Sequence, residues 1–132
     1  MTAAAVYVDT SAVGRVLLGE PDAPAVLRDL GDFDRHIASR LLRVELRRVA
    51  LREGLLDDAD LLLGGIALIP LDDAVLGSAE VVRPTSVATL DAIHLATAVR
   101  LAAAGVLDTV MTYDIRLAAG AEDHGLRVLA PA

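Results

Sequence analysis

Short apolar runs alternate along the chain with stretches of helical periodicity, and this alternation constrains the fold more than any other feature. Five runs have the length and composition of buried strands: residues 4–8, 35–38, 66–71, 109–112 and 126–129. Strands that alternate with helices favour a parallel sheet with helices on both faces. We therefore predict a single α/β domain over residues 1–132, with a central sheet of about five short strands.

Seven helical stretches are predicted around these strands. They are residues 10–19, 21–31, 39–54, 57–63, 73–83, 85–104 and 114–123. Ser39 is expected to cap the third helix, and Thr85 or Ser86 the sixth, because their hydroxyls can accept a hydrogen bond from the first turn. Pro70 predicts that the third strand ends at an edge or a bend.

The composition excludes several classes of protein. The chain has no cysteine, which rules out disulfide scaffolds, thiol catalysis and zinc–thiolate sites. All 12 basic residues are arginine, so Schiff-base lysines and the P-loop lysine are absent. The longest apolar stretch, residues 61–71, is interrupted by glycine and proline, whereas a membrane span needs roughly 18 apolar residues. With no basic region of a secretory signal, we expect no membrane association and a cytoplasmic location.

Two acidic residues directly follow predicted strands. Asp9 comes after the first strand and Asp114 after the fourth. Because sites in parallel sheets form beyond the carboxyl ends of the strands, both are candidates for a functional site. The alternative for each is a structural one, in which the carboxylate caps the following helix.

Two further acidic residues are predicted to lie on apolar helix faces. Glu45 shares a stripe of leucine and valine side chains on the third helix, where the alternative is an ion pair with Arg48 or Arg52. Asp91 lies within the predicted sixth helix, also on an apolar face, where an unpaired carboxylate is costly. A divalent cation would compensate all four acids at once. Oxygen ligands without cysteine or histidine favour Mg²⁺ or Mn²⁺, and such a cluster supports phosphodiester hydrolysis.

Four motifs then occur in an order that resembles PIN domains, and a fifth segment closes the chain. They are VYVDTSA at residues 6–12, SRLLRVEL at 39–46, LDAIHLATA at 90–98, TYDIRL at 112–117 and GLRV at 125–128. The likeness extends over the whole chain. Its length is similar to that of the VapC toxins of bacterial type II toxin–antitoxin pairs. The resemblance implies a PIN-like three-layer α/β/α fold and an Mg²⁺- or Mn²⁺-dependent endoribonuclease.

The family's acidic cluster carries over onto Asp9, Glu45, Asp91 and Asp114. We expect the three aspartates to hold one or two metal ions, with Glu45 completing the ligand set or orienting the attacking water. The resemblance also implies an RNA substrate, a homodimer, and a VapB-type antitoxin that covers the site, often with an arginine near the acids. A heterotetramer or larger complex with the antitoxin is expected, with DNA contacted only through the antitoxin.

Candidate substrate contacts lie beside these motifs: Thr10, Ser11, Thr112 and Arg116. The dense basic stretch Arg43, Arg47, Arg48 and Arg52 is interpreted as a solvated helix face paired with acids, in preference to a track for RNA. His94, three residues after Asp91, could be a ligand or a general base, but we favour a packed histidine with a local hydrogen bond.

Other classes fit the residues less well. A haloacid-dehalogenase-type phosphatase needs a second aspartate where this chain has Ser11, and it also needs a lysine; a response-regulator receiver domain needs a lysine too. Two alternatives within the PIN resemblance stay open: an RNA-processing nuclease outside a toxin pair, and a catalytically weak module that binds RNA or protein. A neighbouring reading frame for a small DNA-binding protein would indicate the toxin.

Overall fold

A five-stranded sheet with the strand order β3-β2-β1-β4-β5 forms the centre of the molecule. The structure is a computed structural model and describes residues 3–132. The strands are β1 (Ala3–Val8), β2 (Phe33–Ser39), β3 (Ala67–Ile69), β4 (Thr109–Met111) and β5 (Arg127–Leu129). All neighbouring strands pair in parallel, which confirms the predicted parallel sheet. Strand β3 lies at the edge of the sheet and ends before Pro70, as expected.

Each predicted helix is present; six of them are shorter than predicted, and the fourth begins one residue earlier than predicted. The helices are α1 (Thr10–Leu17), α2 (Ala23–Leu30), α3 (Leu41–Glu53), α4 (Leu56–Leu63), α5 (Asp73–Ala79), α6 (Thr89–Ala103) and α7 (Ile115–Asp123). The Ser39 oxygen accepts a hydrogen bond from the Leu41 amide at 3.1 Å, although the N-cap position itself is Arg40.

The prediction that Thr85 or Ser86 caps the sixth helix was wrong. Helix α6 begins at Thr89 with Ala88 at its N-cap, and α5 already ends at Ala79. Pro84 lies in the irregular segment between them and disfavours a helical conformation for the residue before it. Asp91 is consequently in the first turn of α6 rather than in its interior.

Side chains on the two faces of the sheet build two apolar cores. Val6 and Val8 point toward one face, where they pack with residues of α1, α2, α3 and α4. Tyr7 points toward the other, where it packs with Leu95 of α6 and Leu117 of α7. Alternation along β1 therefore places helices on both faces, and the three-layer α/β/α fold expected from the resemblance is confirmed.

None of the helices in residues 3–132 is long and apolar enough to cross a membrane. The single domain over residues 1–132 stays a prediction, since Met1 and Thr2 lie outside the described residues.

Candidate active site

The carboxyl ends of β1 and β4 lie side by side at the centre of the sheet. Val8 is in register with Met111, so the residues that follow, Asp9 and Thr112, are neighbours. The strand order runs from β1 toward β2 on one side and toward β4 on the other, and parallel sheets bind ligands at such a reversal. The structure places the predicted Asp9 at this point, with Asp114 two residues beyond Thr112.

Two hydroxyl groups hold the buried carboxylate of Asp9. Ser11 donates to Oδ1 at 2.7 Å and Thr112 donates to Oδ2 at 2.8 Å. The Ala12 amide also donates to Oδ1, at 3.3 Å, so Asp9 is the N-cap of α1 as well as a site residue. Burial raises the pKa of Asp9, while the hydrogen bonds from Ser11 and Thr112 work in the opposite direction.

The same hydroxyls connect Asp9 to the loop that carries Asp114. The Tyr113 amide donates to the Ser11 oxygen at 2.8 Å, and the Asp114 amide donates to the Thr112 oxygen at 3.0 Å. Asp114 caps α7, since its Oδ1 accepts from the Leu117 amide at 2.8 Å. The capping interpretation is therefore confirmed for Asp9 and Asp114, and their role in a functional site stays a prediction.

Glu45 reaches the site from α3, and both of its hydrogen bonds are made through one of its two carboxylate oxygens. Oε1 accepts from the Thr10 hydroxyl at 2.6 Å and from His94 Nε2 at 2.7 Å. Burial alone would raise the pKa of Glu45, but the hydrogen bonds from His94 and Thr10 outweigh it and lower the pKa. The alternative of an ion pair with Arg48 or Arg52 is not found among the residues the structure describes.

Tyr7 is a site residue that sequence reasoning missed. Its hydroxyl lies 2.6 Å from His94 Nδ1, and its ring packs edge-on against the imidazole. Burial raises the pKa of Tyr7 well above its ordinary value. His94 is a packed histidine, as we favoured, but the expected local hydrogen bond was wrong, because its partners are the distant residues Tyr7 and Glu45. The signal in the sequence was an aromatic residue within an otherwise small aliphatic strand, two residues before Asp9.

Asp91 approaches from α6, on the opposite face of the sheet from Glu45. Its side chain is half-buried, and within residues 3–132 its carboxylate accepts no hydrogen bond. Burial raises the pKa of Asp91, and repulsion from Asp114, Asp9 and Glu45 raises it further. The four predicted acids therefore lie within electrostatic reach of one another.

The donor set of the site is suited to a hard divalent cation. Its four carboxylates supply only oxygen atoms. The pKa of Asp91 is raised, and no donor among the described residues offsets its charge. In the described part of the chain, no three acidic or histidine side chains already form a ready cluster of metal ligands. The residues fit Mg²⁺ or Mn²⁺ in chemistry and charge.

Three of the four candidate substrate contacts have their hydroxyl protons engaged. Thr10 donates to Glu45, and Ser11 and Thr112 donate to Asp9. Arg116 is exposed on α7, two residues after Asp114. A role for these four residues in binding substrate stays a prediction.

The basic stretch on α3 is only partly paired with acids. Arg47 forms an ion pair with Asp60 of α4, as the interpretation of a paired face requires. Arg48 and Arg52 are exposed and, within the described residues, form no ion pair. They follow Glu45 by three and seven residues, so all three lie on one side of the helix.

The PIN domain family model matches residues 6–123, which include all four acids. The fold, the acidic edge of the sheet and this match agree. The chain belongs to the PIN-domain family.

Full-length relatives place the chain within one branch of that family. It is 36% identical to Ribonuclease VapC47 of Mycobacterium tuberculosis (strain CDC 1551 / Oshkosh), over 96% of each chain. It is 37% identical to Ribonuclease VapC46 of M. tuberculosis (strain ATCC 25618 / H37Rv), over 97% of this chain and 98% of the relative. Ribonuclease VapC35 of the same species is 34% identical over 96% of each chain. These matches make it a PIN protein of the VapC type.

Replacing Asp91 with asparagine should stabilise the metal-free protein at neutral pH. Because the pKa of Asp91 is raised in the folded state, its ionisation destabilises the fold increasingly as pH rises through that pKa. We expect a higher melting temperature for Asp91→Asn than for the wild type in EDTA at pH 7.5, and a difference that shrinks toward about pH 4, near the ordinary pKa of aspartate.

Asp58→Asn is the matched control. Asp58 is also the third residue of its helix, α4, but it is exposed and outside the acidic site. Its loss removes a favourable charge at a helix N-terminus without relieving repulsion, so no gain is expected. Equal melting temperatures for Asp91→Asn and the wild type at pH 7.5 would contradict the electrostatic account.

Proposed function

We propose that the chain is a metal-dependent endoribonuclease that hydrolyses phosphodiester bonds in RNA. The observation that carries this is Asp91, a half-buried carboxylate whose pKa is raised by burial and by three other acids. A divalent cation would offset that repulsion. The full-length relatives described above are ribonucleases by name, which supports RNA as the substrate.

Each acid has a proposed role. Asp9, Asp91 and Asp114 hold Mg²⁺ or Mn²⁺, and Glu45 completes the ligand set or orients the attacking water. When bound, the cation neutralises charge on the scissile phosphate and lowers the pKa of water. Ser11 and Thr112 keep both oxygens of Asp9 in fixed positions. Thr10 does the same for one oxygen of Glu45.

The reaction is tested by incubating total cellular RNA with the purified protein in Mg²⁺, Mn²⁺ or EDTA. We expect cleavage with either metal, none in EDTA, and none with Asp9→Asn, which also controls for contaminating nuclease. Metal at 100 times its Kd should stabilise the fold by about 2.7 kcal/mol, measurable as a higher melting temperature.

Two results would contradict this proposal. One is an unchanged melting temperature in saturating Mg²⁺ and Mn²⁺. The other is the absence of cleavage by well-folded protein free of any antitoxin, which would favour a binding module instead.

We also propose that the chain is the toxin of a VapBC-type pair, as the names of its relatives suggest. In that role it forms a homodimer, and a VapB-type antitoxin covers the acidic site in a heterotetramer or larger complex. Induced expression should then arrest growth of the host cell, and co-expression of the adjacent small reading frame should relieve the arrest. Arrest that persists unchanged with Asp9→Asn would contradict a nuclease toxin.

Arg48 and Arg52 are proposed to bind RNA phosphates next to the acids. They are exposed, they form no ion pair in the described part of the chain, and they share a side of α3 with Glu45. In a protein with a net charge of −7, such a cationic surface beside a negative site attracts the phosphate backbone locally.

Replacing both arginines with glutamine should raise KM for RNA and leave kcat nearly unchanged, because phosphate contacts position the substrate without joining the reaction. Loss of two contacts should also reduce the slope of log K against log salt by about 1.4 for single-stranded RNA. The measurement is cleavage kinetics from 50 to 300 mM KCl.

The control is the double variant Arg100→Gln/Arg127→Gln, which changes net charge equally. Arg100 lies in the last turn of α6, and Arg127 begins β5, so both are at the opposite end of the sheet from the acids. If both double variants raise KM equally, bulk charge rather than a local surface is responsible.

A further inference from the structure

Glu45 is connected to the interior of the protein by a chain of hydrogen bonds through His94 and Tyr7. We propose that Tyr7 and His94 are positioning residues, which hold one oxygen of Glu45 so that the other is presented to the cation or to water. The catalytic consequence rests on the proposed nuclease function. The positioning itself does not.

The donors and acceptors that each group can offer determine the direction of each hydrogen bond in this series. A carboxylate only accepts, so His94 Nε2 donates its proton to Glu45 Oε1, at 2.7 Å. The Thr10 hydroxyl donates to the same oxygen at 2.6 Å. Oε2 forms no hydrogen bond within residues 3–132, and the Glu45 side chain is 24% exposed, so Oε2 is the accessible atom.

Tyr7 holds the other side of the imidazole. The Ser39 amide donates to the Tyr7 oxygen at 3.1 Å, and the Tyr7 oxygen lies 2.6 Å from His94 Nδ1. The buried Tyr7 hydroxyl needs an acceptor for its proton and Nδ1 supplies one, so the tyrosine donates to Nδ1 and the ring proton is on Nε2. The rings meet edge to face with centroids 5.9 Å apart, and both are buried. The two partners together fix the tautomer and the orientation of the imidazole.

This arrangement excludes one role for His94 and assigns another. Both ring nitrogens are occupied, by Tyr7 and by Glu45, so the histidine has no nitrogen left for a metal. Its hydrogen bond instead joins α6 to α3 across the edge of the sheet. Because Thr10 starts α1 and Tyr7 lies in β1, four elements together determine where the Glu45 carboxylate stands.

The test compares His94→Met, which fills the space without an N–H donor, with His94→Gln, whose side-chain amide can restore one. We expect kcat for RNA cleavage to fall about 10- to 100-fold in His94→Met, with a smaller change in KM, and to recover partly in His94→Gln. Tyr7→Phe, which keeps the ring but lacks the hydroxyl, should give an intermediate loss. Melting temperatures verify that each variant is folded.

His36→Met is the matched control. His36 is half-buried in β2, and its Nε2 lies 2.8 Å from the Leu30 carbonyl, away from the acids. Its loss removes an imidazole hydrogen bond of similar length, and kcat should stay within about twofold of the wild type. An equal loss in His36→Met and His94→Met would overturn the proposal, since general destabilisation would then account for both.

A spectroscopic readout separates this inference from the nuclease proposal. In metal-free protein without RNA, the ¹³C shift of the Glu45 side-chain carboxyl should move in His94→Met and return toward the wild-type value in His94→Gln. An unchanged shift overturns the positioning role whatever the activity. A shift that moves as expected in a protein that cleaves no RNA supports positioning and refutes the nuclease. Wild-type kcat in His94→Met refutes the catalytic consequence alone.

Discussion

Repulsion among four carboxylates is the constraint on which the rest of this site depends. Asp9, Glu45, Asp91 and Asp114 come from different parts of the chain and lie within electrostatic reach at one edge of the sheet. Three of them are held by donors from hydroxyl, amide or imidazole groups, which offset part of the repulsion. Asp91 has no such donor in the part of the chain that the structure describes, so the remaining unfavourable charge is concentrated there. A fold that keeps this arrangement is suited to a ligand of opposite charge.

Helices on opposite faces of the sheet make contact at the candidate site, beyond the carboxyl ends of the central strands. Above the carboxyl ends of β1 and β4, side chains from α3 and α6 can touch without a strand between them. The hydrogen bond from His94 to Glu45 is such a contact, and Tyr7 connects it to the buried sheet. The position of a reactive group is therefore determined by core packing as well as by its own helix.

The sequence was sufficient to predict the parallel fold and to single out four acids that the structure brings near one another, because each acid interrupts a recognisable pattern. Asp9 and Asp114 end apolar strands, and Glu45 lies on an apolar stripe. The link between Tyr7 and His94 could not be predicted, since its partners are 87 residues apart and meet only through the strand order. The start of α6 was misplaced because Thr85 and Ser86 were given weight as capping residues, whereas they lie inside a turn closed by a hydrogen bond from the Val87 amide to the Pro84 carbonyl at 3.2 Å.

The central claim is that the four acids together form one site for a divalent cation, and paramagnetic NMR with Mn²⁺ tests it most directly. In ¹⁵N-labelled protein, substoichiometric Mn²⁺ should first broaden the amide signals next to all four acids, near residues 9, 45, 91 and 114, while Asp9→Asn should show much weaker broadening. Broadening centred on the exposed aspartates of α4, or equal in the wild type and Asp9→Asn, would contradict the account.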